Sequence, residues 1–264
     1  MGTMKRFGLC LLVLISSVDA VDLVEDAYPS LESMACDARA GKPKGPSKIV
    51  DITHEMRLDL PSFDDGNPLT DAVTLLKGMR RDGHSCNLSE LKIMVHSGTH
   101  VDAPGHFVNE MYEAGFDVNG LDLNVLVGPV LIVDVSNEEG HITEQVMQKL
   151  NIPRGVERVL FRTANTYRRL MYKSQFDRSY VGFTKEAAEW LVANTDIKLI
   201  GTDYLSVAIF ADQTGPHRAF LLKKLVLVEG LNLENVDVGL SMLYCLPLRL
   251  LKAEGSPARC ILIN

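Results

Sequence analysis

Short apolar runs separated by helix-like segments are the sequence feature that most constrains the fold. Continuous apolar stretches at residues 129–135 and 158–163 are bounded by turn-forming residues, which is typical of buried strands. Residues 142–150 and 184–194 have amphipathic helical spacing, and Thr184 is a suitable N-cap. Further strands are predicted at 48–53, 197–203, 224–231 and 258–263. Because no linker rich in Pro, Gly or Ser divides the chain after residue 48, we predict one α/β domain.

Composition and charge exclude several classes of function. The chain has 264 residues, 46% of them hydrophobic, and a net charge of −7. No run rich in Lys or Arg provides the electrostatic footprint of a nucleic-acid-binding protein. No glycine-rich dinucleotide or phosphate-loop motif follows a predicted strand, so a nucleotide cofactor has no sequence support. After the first twenty residues, no apolar run is long enough to span a membrane.

The first twenty residues predict a signal peptide. Lys5 and Arg6 precede an apolar stretch at residues 7–15, and a small-residue segment ends at Ala20. A buried N-terminal helix is the alternative. Residues 21–47 are predicted to form a loosely ordered N-terminal arm, and the domain itself spans residues 48–264. We therefore expect a secreted, extracellular protein.

Secretion changes the interpretation of the cysteines and of one asparagine. Four cysteines remain after the signal peptide, and they either form one or two disulfides or stay as buried thiols: Cys36, Cys86, Cys245 and Cys260. Asn87 begins an Asn-Leu-Ser glycosylation sequon, which predicts a surface position.

Three of the seven histidines lie in the stretch VHSGTHVDAPGHF, residues 95–107. In an extended chain alternate residues share a face, so His96, His100 and Asp102 are expected to point the same way. Gly98 would then leave a gap for an ion between them. Imidazole nitrogens and a carboxylate are ligands for zinc, manganese or iron. This spacing predicts a divalent metal site with open positions, where bound water loses a proton near neutral pH.

His106 follows the Pro104-Gly105 pair, where the chain is expected to bend. It can therefore face the same site without binding the metal, which favours a general acid/base that delivers a proton to the leaving group. A fourth ligand, or a side chain that supports a ligand, is the alternative. His54 follows the first predicted strand, and we expect it to make a structural hydrogen bond rather than line a substrate pocket.

The pattern H-x-G-T-H-x-D-x-P-x-H at residues 96–106 resembles that of the cyclase-like family of metal-dependent hydrolases. That family contains bacterial kynurenine formamidases and isatin hydrolases. Supporting matches lie at DITHEM (51–56), AGFDVNGLDL (114–123), GTDYLSV (201–207) and VEGLNL (228–233). Residues 158–171 and 245–263 resemble the secreted plant branch. The resemblance covers residues 48–264.

The resemblance implies a swivelling β/β/α fold, with a mixed β core flanked by helices, assembled as oligomers whose pockets are completed at subunit contacts in some members. It implies a first metal on His96, His100 and Asp102. His217 and Glu229, which stand twelve residues apart, would serve a second metal. The cofactor would be one or two ions of Mn²⁺ or Zn²⁺, and His106 would be the catalytic histidine.

The implied activity is hydrolysis of an amide bond in a small aromatic, tryptophan-derived substrate such as N-formylkynurenine or isatin. Phe63, where relatives often carry a Trp, is a candidate pocket residue together with Phe107 and Tyr204. The alternative is an extracellular binding or signalling protein that keeps the metal site without turnover.

Overall fold

The computed structural model describes residues 48–63, 72–138 and 140–264. The predicted signal peptide, the N-terminal arm and Cys36 lie outside these residues. The strands are β1 Ile49–Asp51, β2 Val73–Lys77, β3 Leu88–Leu91, β4 His100–Asp102, β5 Val127–Asp134, β6 Arg158–Arg162, β7 Leu199–Thr202, β8 Val226–Glu229, β9 Gly239–Pro247 and β10 Gly255–Ile263. The α-helices are α1 Met79–Asp82, α2 Asn109–Glu113, α3 Leu123–Leu126, α4 Glu144–Leu150, α5 Ala164–Tyr167, α6 Lys185–Asn194 and α7 Thr214–Leu221. Two 3₁₀ turns span Val118–Gly120 and Leu170–Tyr172.

Seven strands close into a mixed barrel in the order β10-β4-β8-β7-β6-β5-β9, and β9 pairs again with β10. Strands β5 to β8 run parallel to one another, whereas the pairings that involve β4, β9 and β10 are antiparallel. Strand β1 pairs with the end of β10 beyond β4. The predicted single α/β domain with a mixed β core flanked by helices is confirmed.

The two faces of the central strands explain their continuous apolar runs. In β5, Val130 and Ile132 belong to the cluster that fills the barrel, with Leu160 and Leu199. Their neighbours in sequence, among them Leu131, lie in a second cluster under helices α4, α6 and α7. Because alternate residues face a core on both sides, the strand has no polar face and its sequence shows no alternation.

Sequence reasoning missed several elements, including the short helices α1, α2, α3 and α5. No strand was predicted within residues 57–90, yet β2 and β3 form an antiparallel hairpin there, linked through α1. Every residue of both hairpin strands is exposed, so no burial pattern marked them. Strand β9 and helix α7 were also not predicted, because β9 adjoins turn residues and α7 contains Gly215 and Pro216.

Two cysteines form a disulfide across the strand pair that closes the barrel. Cys245 and Cys260 lie directly opposite each other on β9 and β10. Cys86 is exposed and has no partner among the described residues. Asn87 is also exposed, and its side-chain oxygen accepts a hydrogen bond from the Met79 amide (2.8 Å). Among the described helices, none is both long and apolar enough to cross a bilayer.

Candidate metal centre

Neighbouring strands bring the first buried donors together. On the antiparallel pair β4–β8, His100 lies opposite Glu229, and His100 Nε2 is 3.3 Å from Glu229 Oε2. Asp102, two residues along β4, places Oδ1 3.5 Å from the same His100 nitrogen. All three side chains are buried. The Val207 amide donates to Glu229 Oε1 (2.7 Å), which fixes this carboxylate in place.

His96 reaches the cluster through a turn and not along a strand. Strand β4 begins only at His100, and Gly98 has a left-handed φ of 61°. The prediction that His96, His100 and Asp102 share one face of an extended chain is therefore wrong for His96. Gly98 also leaves no gap for an ion, because a Cβ there would face Met56 (2.8 Å to Sδ). The turn still brings His96 Nδ1 to 2.9 Å from Asp102 Oδ1.

Helix α7 supplies His217 from its first turn. His217 Nδ1–H donates to the carbonyl of Gln213 (2.6 Å), so Nε2 points at Glu229 Oε1 (3.3 Å) and lies 3.9 Å from Asp102 Oδ2. The structure thus brings His217 and Glu229 together, the pair that the family resemblance implied. Sequence reasoning missed Gln213, whose side chain is held by Ser206 (2.8 Å) and Tyr180 (2.6 Å).

His106 lies at the rim of this cluster. The expected bend is present as a turn in which the His106 amide donates to Ala103 O (2.9 Å). The His106 ring stacks on His96, with ring centroids 3.8 Å apart, and its Nε2 is 4.0 Å from Asp102 Oδ2. About a quarter of the His106 side chain is exposed, whereas Asp102 is fully buried. His106 therefore both touches the buried cluster and meets solvent, as does the His96 ring on which it stacks.

The donors present fit a divalent cation. Within the described residues, the buried atoms His96 Nε2, His100 Nε2 and Asp102 Oδ2 have no hydrogen-bond partner. Leaving such atoms unsatisfied costs free energy, which a bound cation would offset. Ligand atoms of His96, His100 and Asp102 all lie within 4.8 Å of one another, as do those of Asp102, His106 and His217. Nitrogen and carboxylate donors at this spacing suit zinc, manganese or iron.

The charges of the cluster and its burial shift the pKa values of the two stacked imidazoles, His96 and His106, in opposite directions. Burial disfavours a charged His96, but the Asp102 carboxylate outweighs burial and raises the pKa of His96 to about 10. Burial lowers the pKa of His106 to about 4; Asp102 opposes this shift, and the His96 charge adds to it. Although burial acts the other way, the neighbouring imidazoles hold the pKa of Asp102 far below its usual range. At neutral pH and without a cation, His96 is charged and His106 is neutral.

The candidate pocket residues lie in different places. Phe107 stacks on His217 (4.1 Å) and touches His106 edge-on (4.5 Å), so it contacts the cluster. Phe63 packs instead on Phe176 (4.8 Å). Tyr204 is fully buried in the same aromatic group, and its hydroxyl accepts a hydrogen bond from the Asp177 amide (2.8 Å). The pocket roles of Phe63 and Tyr204 stay predictions.

His54 lies beside the site and not in it. Its amide donates to Thr99 Oγ1 (2.9 Å), one residue before His100. Its ring is buried and meets the Tyr172 ring edge-on, with centroids 5.3 Å apart. Thr99 Oγ1 in turn donates to the Gly230 carbonyl (2.5 Å). His54 therefore helps to tie the segment before β4 to the loop after β8.

Sequence comparisons place the chain among known proteins. Residues 50–208 match the Cyclase family model, described as "Putative cyclase". Cyclase-like protein 2 of Arabidopsis thaliana is 53% identical over 221 residues, which are 83% of this chain and 80% of the relative. Kynurenine formamidase of Bacillus anthracis is 32% identical over 217 residues, 82% of this chain and 97% of the relative.

Solved structures show the same fold. A predicted metal-dependent hydrolase from Bacillus stearothermophilus superposes with a TM-score of 0.69 at 27% identity, covering 83% of this chain and 99% of that chain. Isatin hydrolase A from Labrenzia aggregata, bound to benzyl benzoate, has a TM-score of 0.70 at 23% identity and covers 87% and 98%. At that identity the second likeness concerns the fold alone.

Proposed function

The chain belongs to the cyclase family, and from that membership and its imidazole–carboxylate cluster we propose a metal-dependent hydrolase that cleaves an amide bond in a small aromatic substrate. The observation that carries the proposal is the set of buried donors around Asp102, three of whose atoms lack a hydrogen-bond partner among the described residues. His96, His100 and Asp102 would hold a first ion, and His217 and Glu229 would hold a second beside Asp102. A divalent ion there, Mn²⁺ or Zn²⁺, would polarise a carbonyl and acidify water.

His106 is the group placed to move the proton. Hydrolysis breaks the C–N bond, so that the water oxygen goes to the carbonyl carbon and its proton goes to the leaving nitrogen. A neutral His106 can accept that proton at Nε2 and then donate it to the nitrogen. Its exposed edge faces solvent, while the stacked His96 ring holds it in place. Phe107, which touches both His106 and His217, would contact the aromatic part of the substrate.

The names of similar proteins indicate which substrates to test first. One relative is called a kynurenine formamidase, and a solved structure with the same fold is an isatin hydrolase, so N-formylkynurenine and isatin are the first substrates to test. The purified protein is expected to contain one or two divalent ions per chain. It should hydrolyse at least one of these two amides, and it should lose this activity when a chelator removes the ions. Metal analysis and a spectrophotometric assay measure both. Full metal occupancy without turnover of either amide would contradict this activity and favour a metal-containing binding or signalling protein.

We also propose that the protein is secreted and glycosylated. The predicted signal peptide, the Cys245–Cys260 disulfide and the exposed Asn87 support this. Expression of the full chain in a eukaryotic secretory host should deliver protein to the medium, with a mass shift that a glycosidase removes and that Asn87→Gln abolishes. Retention of the full chain inside the cell with its first twenty residues intact would contradict secretion.

A further inference from the structure

Glu254, the residue immediately before strand β10, approaches the cluster with its carboxylate. Its Oε1 lies 3.3 Å from His96 Nε2. Its backbone carbonyl accepts a hydrogen bond from the Ala103 amide (2.8 Å), and the next residue, Gly255, pairs with Asp102 across β4 and β10. The backbone of Glu254 is therefore fixed to the strand that carries His100 and Asp102, although its side chain remains one third exposed.

The His96 ring has little freedom to turn away from Glu254. The ring stacks on His106, and it also lies directly against the backbone of Gly255. A Cβ on Gly255 would come within 2.4 Å of His96 Cε1, so any other residue there would displace the imidazole. In this fixed orientation Nδ1 faces Asp102 Oδ1 (2.9 Å), and Nε2 faces Glu254.

Three of the four imidazoles around Asp102, those of His96, His100 and His217, have one nitrogen turned inward and one turned to an outer acceptor. His100 Nδ1–H donates to the carbonyl of Gly98 (2.9 Å), and His217 Nδ1–H donates to that of Gln213 (2.6 Å). In His96 the roles of the two nitrogens are reversed: Nδ1 turns inward to Asp102, and Nε2 turns outward to Glu254. Its outer acceptor, Glu254, carries a charge, whereas the acceptors of the other two are neutral carbonyls.

We infer that Glu254 is a positioning residue, which accepts the Nε2–H of His96 and thereby leaves Nδ1 free to bind a cation together with Asp102. A histidine that binds a metal commonly donates its second N–H to a carboxylate or carbonyl, which fixes the tautomer and strengthens the ligand. The inference rests on the proposed metal site. Among the described residues the buried His96 Nε2 makes no hydrogen bond, and a small rotation of the partly exposed Glu254 side chain, whose Oε1 lies 3.3 Å away, would complete one.

A different role for Glu254 is as a ligand. The ligand atoms of His96, His106 and Glu254 also lie within 4.8 Å of one another. An ion on His96 Nε2, in addition to one on Nδ1, would require the imidazole to lose both of its N–H protons. Donation of Nε2–H to Glu254 needs no such loss, so the geometry favours positioning.

The test compares the full-length wild type with Glu254→Ala and Glu254→Gln. The Zn²⁺ dissociation constant is measured by competition with a chromophoric chelator, and stoichiometry by metal analysis. Loss of the acceptor in Glu254→Ala is expected to weaken Zn²⁺ binding about 10- to 100-fold, with unchanged stoichiometry. Gln keeps an acceptor oxygen, so Glu254→Gln should bind more tightly than the Ala variant. Glu186→Ala, at an exposed carboxylate on α6, is the control and should match the wild type.

A second readout is independent of affinity. In the Zn²⁺-loaded wild type, long-range ¹H–¹⁵N spectra of the imidazoles should show His96 protonated at Nε2. The positioning role is overturned if both Glu254 variants bind Zn²⁺ like the wild type, if Nε2 carries no proton, or if both variants lose one ion per chain. Wild-type protein that binds no divalent metal would overturn the proposed function, and this role with it. If Glu254→Ala does not fold, the Gln variant and the spectra still decide the question.

Discussion

At the scale of single residues, His96 and His106 show how surroundings give identical side chains different properties. The two rings are stacked 3.8 Å apart, so protonation of both is unfavourable. In the metal-free protein His96 is in contact with two carboxylates, Asp102 and Glu254, and it keeps the proton. His106 is farther from Asp102 and stays neutral, which is the state that a proton acceptor needs.

His106→Ala is expected to lower kcat by about 100-fold or more, because general acid–base catalysis contributes a factor of that order. Its metal content should stay near that of the wild type. His100→Ala, which removes a buried donor, should lose metal as well as activity. Steady-state kinetics and metal analysis measure both, and His84→Ala at an exposed position is the control. A metal-depleted His106→Ala protein would instead identify His106 as a ligand.

His54 gives a pH dependence to stability. Burial, with a smaller contribution from the Arg57 charge, lowers the pKa of His54 to about 4 from a usual value of 6.5. Protons therefore bind the unfolded chain more tightly, so stability is complete above pH 6.5 and falls as the pH drops towards 4. The loss attributable to His54 should reach about 3 kcal/mol, at roughly 1.4 kcal/mol per unit of pKa shift.

Urea unfolding of the metal-free protein between pH 7.5 and pH 4 tests this prediction. The comparison is with His54→Gln, because the titration of the metal-site groups is common to both proteins and cancels in the difference. The free energy of unfolding of the wild type should fall more steeply over this range. Parallel curves for the two proteins would contradict a depressed pKa at His54.

At the scale of elements, the site depends on the turn before β4 and the loop after β8 approaching closely. Gly230 has a left-handed φ of 65°, and a Cβ there would lie 2.4 Å from the carbonyl oxygen of Gly98. Because Gly98 O also accepts the Nδ1–H of His100, this contact determines the orientation of a donor in the cluster. The two glycines are therefore part of the geometry of the metal centre.

Gly230→Ala should destabilise the fold by more than the roughly 1–2 kcal/mol that a left-handed alanine costs, because the steric clash adds to it. It should also reduce metal affinity by displacing His100. Gly83→Ala separates the two effects, since Gly83 has a φ of 69° and no described atom would lie within 4 Å of its Cβ. Denaturant unfolding and Zn²⁺ competition measure both variants. Equal losses of stability in the two would show that the clash is relieved without cost.

At the scale of the whole molecule, the closed barrel contrasts with the hairpin β2–β3. The barrel buries both faces of its central strands, whereas all nine residues of the two hairpin strands are exposed. Val73 and Leu91 pair across the hairpin and are 62% and 57% exposed. Isolated two-stranded hairpins are only marginally stable in water, and exposed apolar patches commonly mark interfaces. The hairpin is therefore the surface on which we expect self-association.

The wild type is expected to sediment as a dimer or larger oligomer at micromolar concentration. The double variant Val73→Lys/Leu91→Glu should shift it towards monomer without loss of circular dichroism, because charges replace the apolar cross-strand pair. Leu251→Lys, at a residue that is 75% exposed elsewhere on the surface, is the matched control. A monomeric wild type in analytical ultracentrifugation would contradict the expected oligomer.

The sequence by itself determined the α/β class and the family. Apolar runs such as residues 129–135 report burial on both faces of a strand, and the motif at 96–106 is specific enough to indicate its relatives. These are local signals, which periodicity and short motifs carry. They also predicted the helix at Thr184, whose side chain accepts a hydrogen bond from the Ala187 amide.

Only the tertiary structure decided how the site is assembled. The β4–β8 register sets His100 opposite Glu229, and the β4–β10 register brings Glu254 to His96. The closure of the barrel by β9 and the exposed hairpin were likewise invisible to local patterns. The physical reason is that register between distant strands depends on the packing of the whole core, whereas periodicity reports only whether each segment is buried.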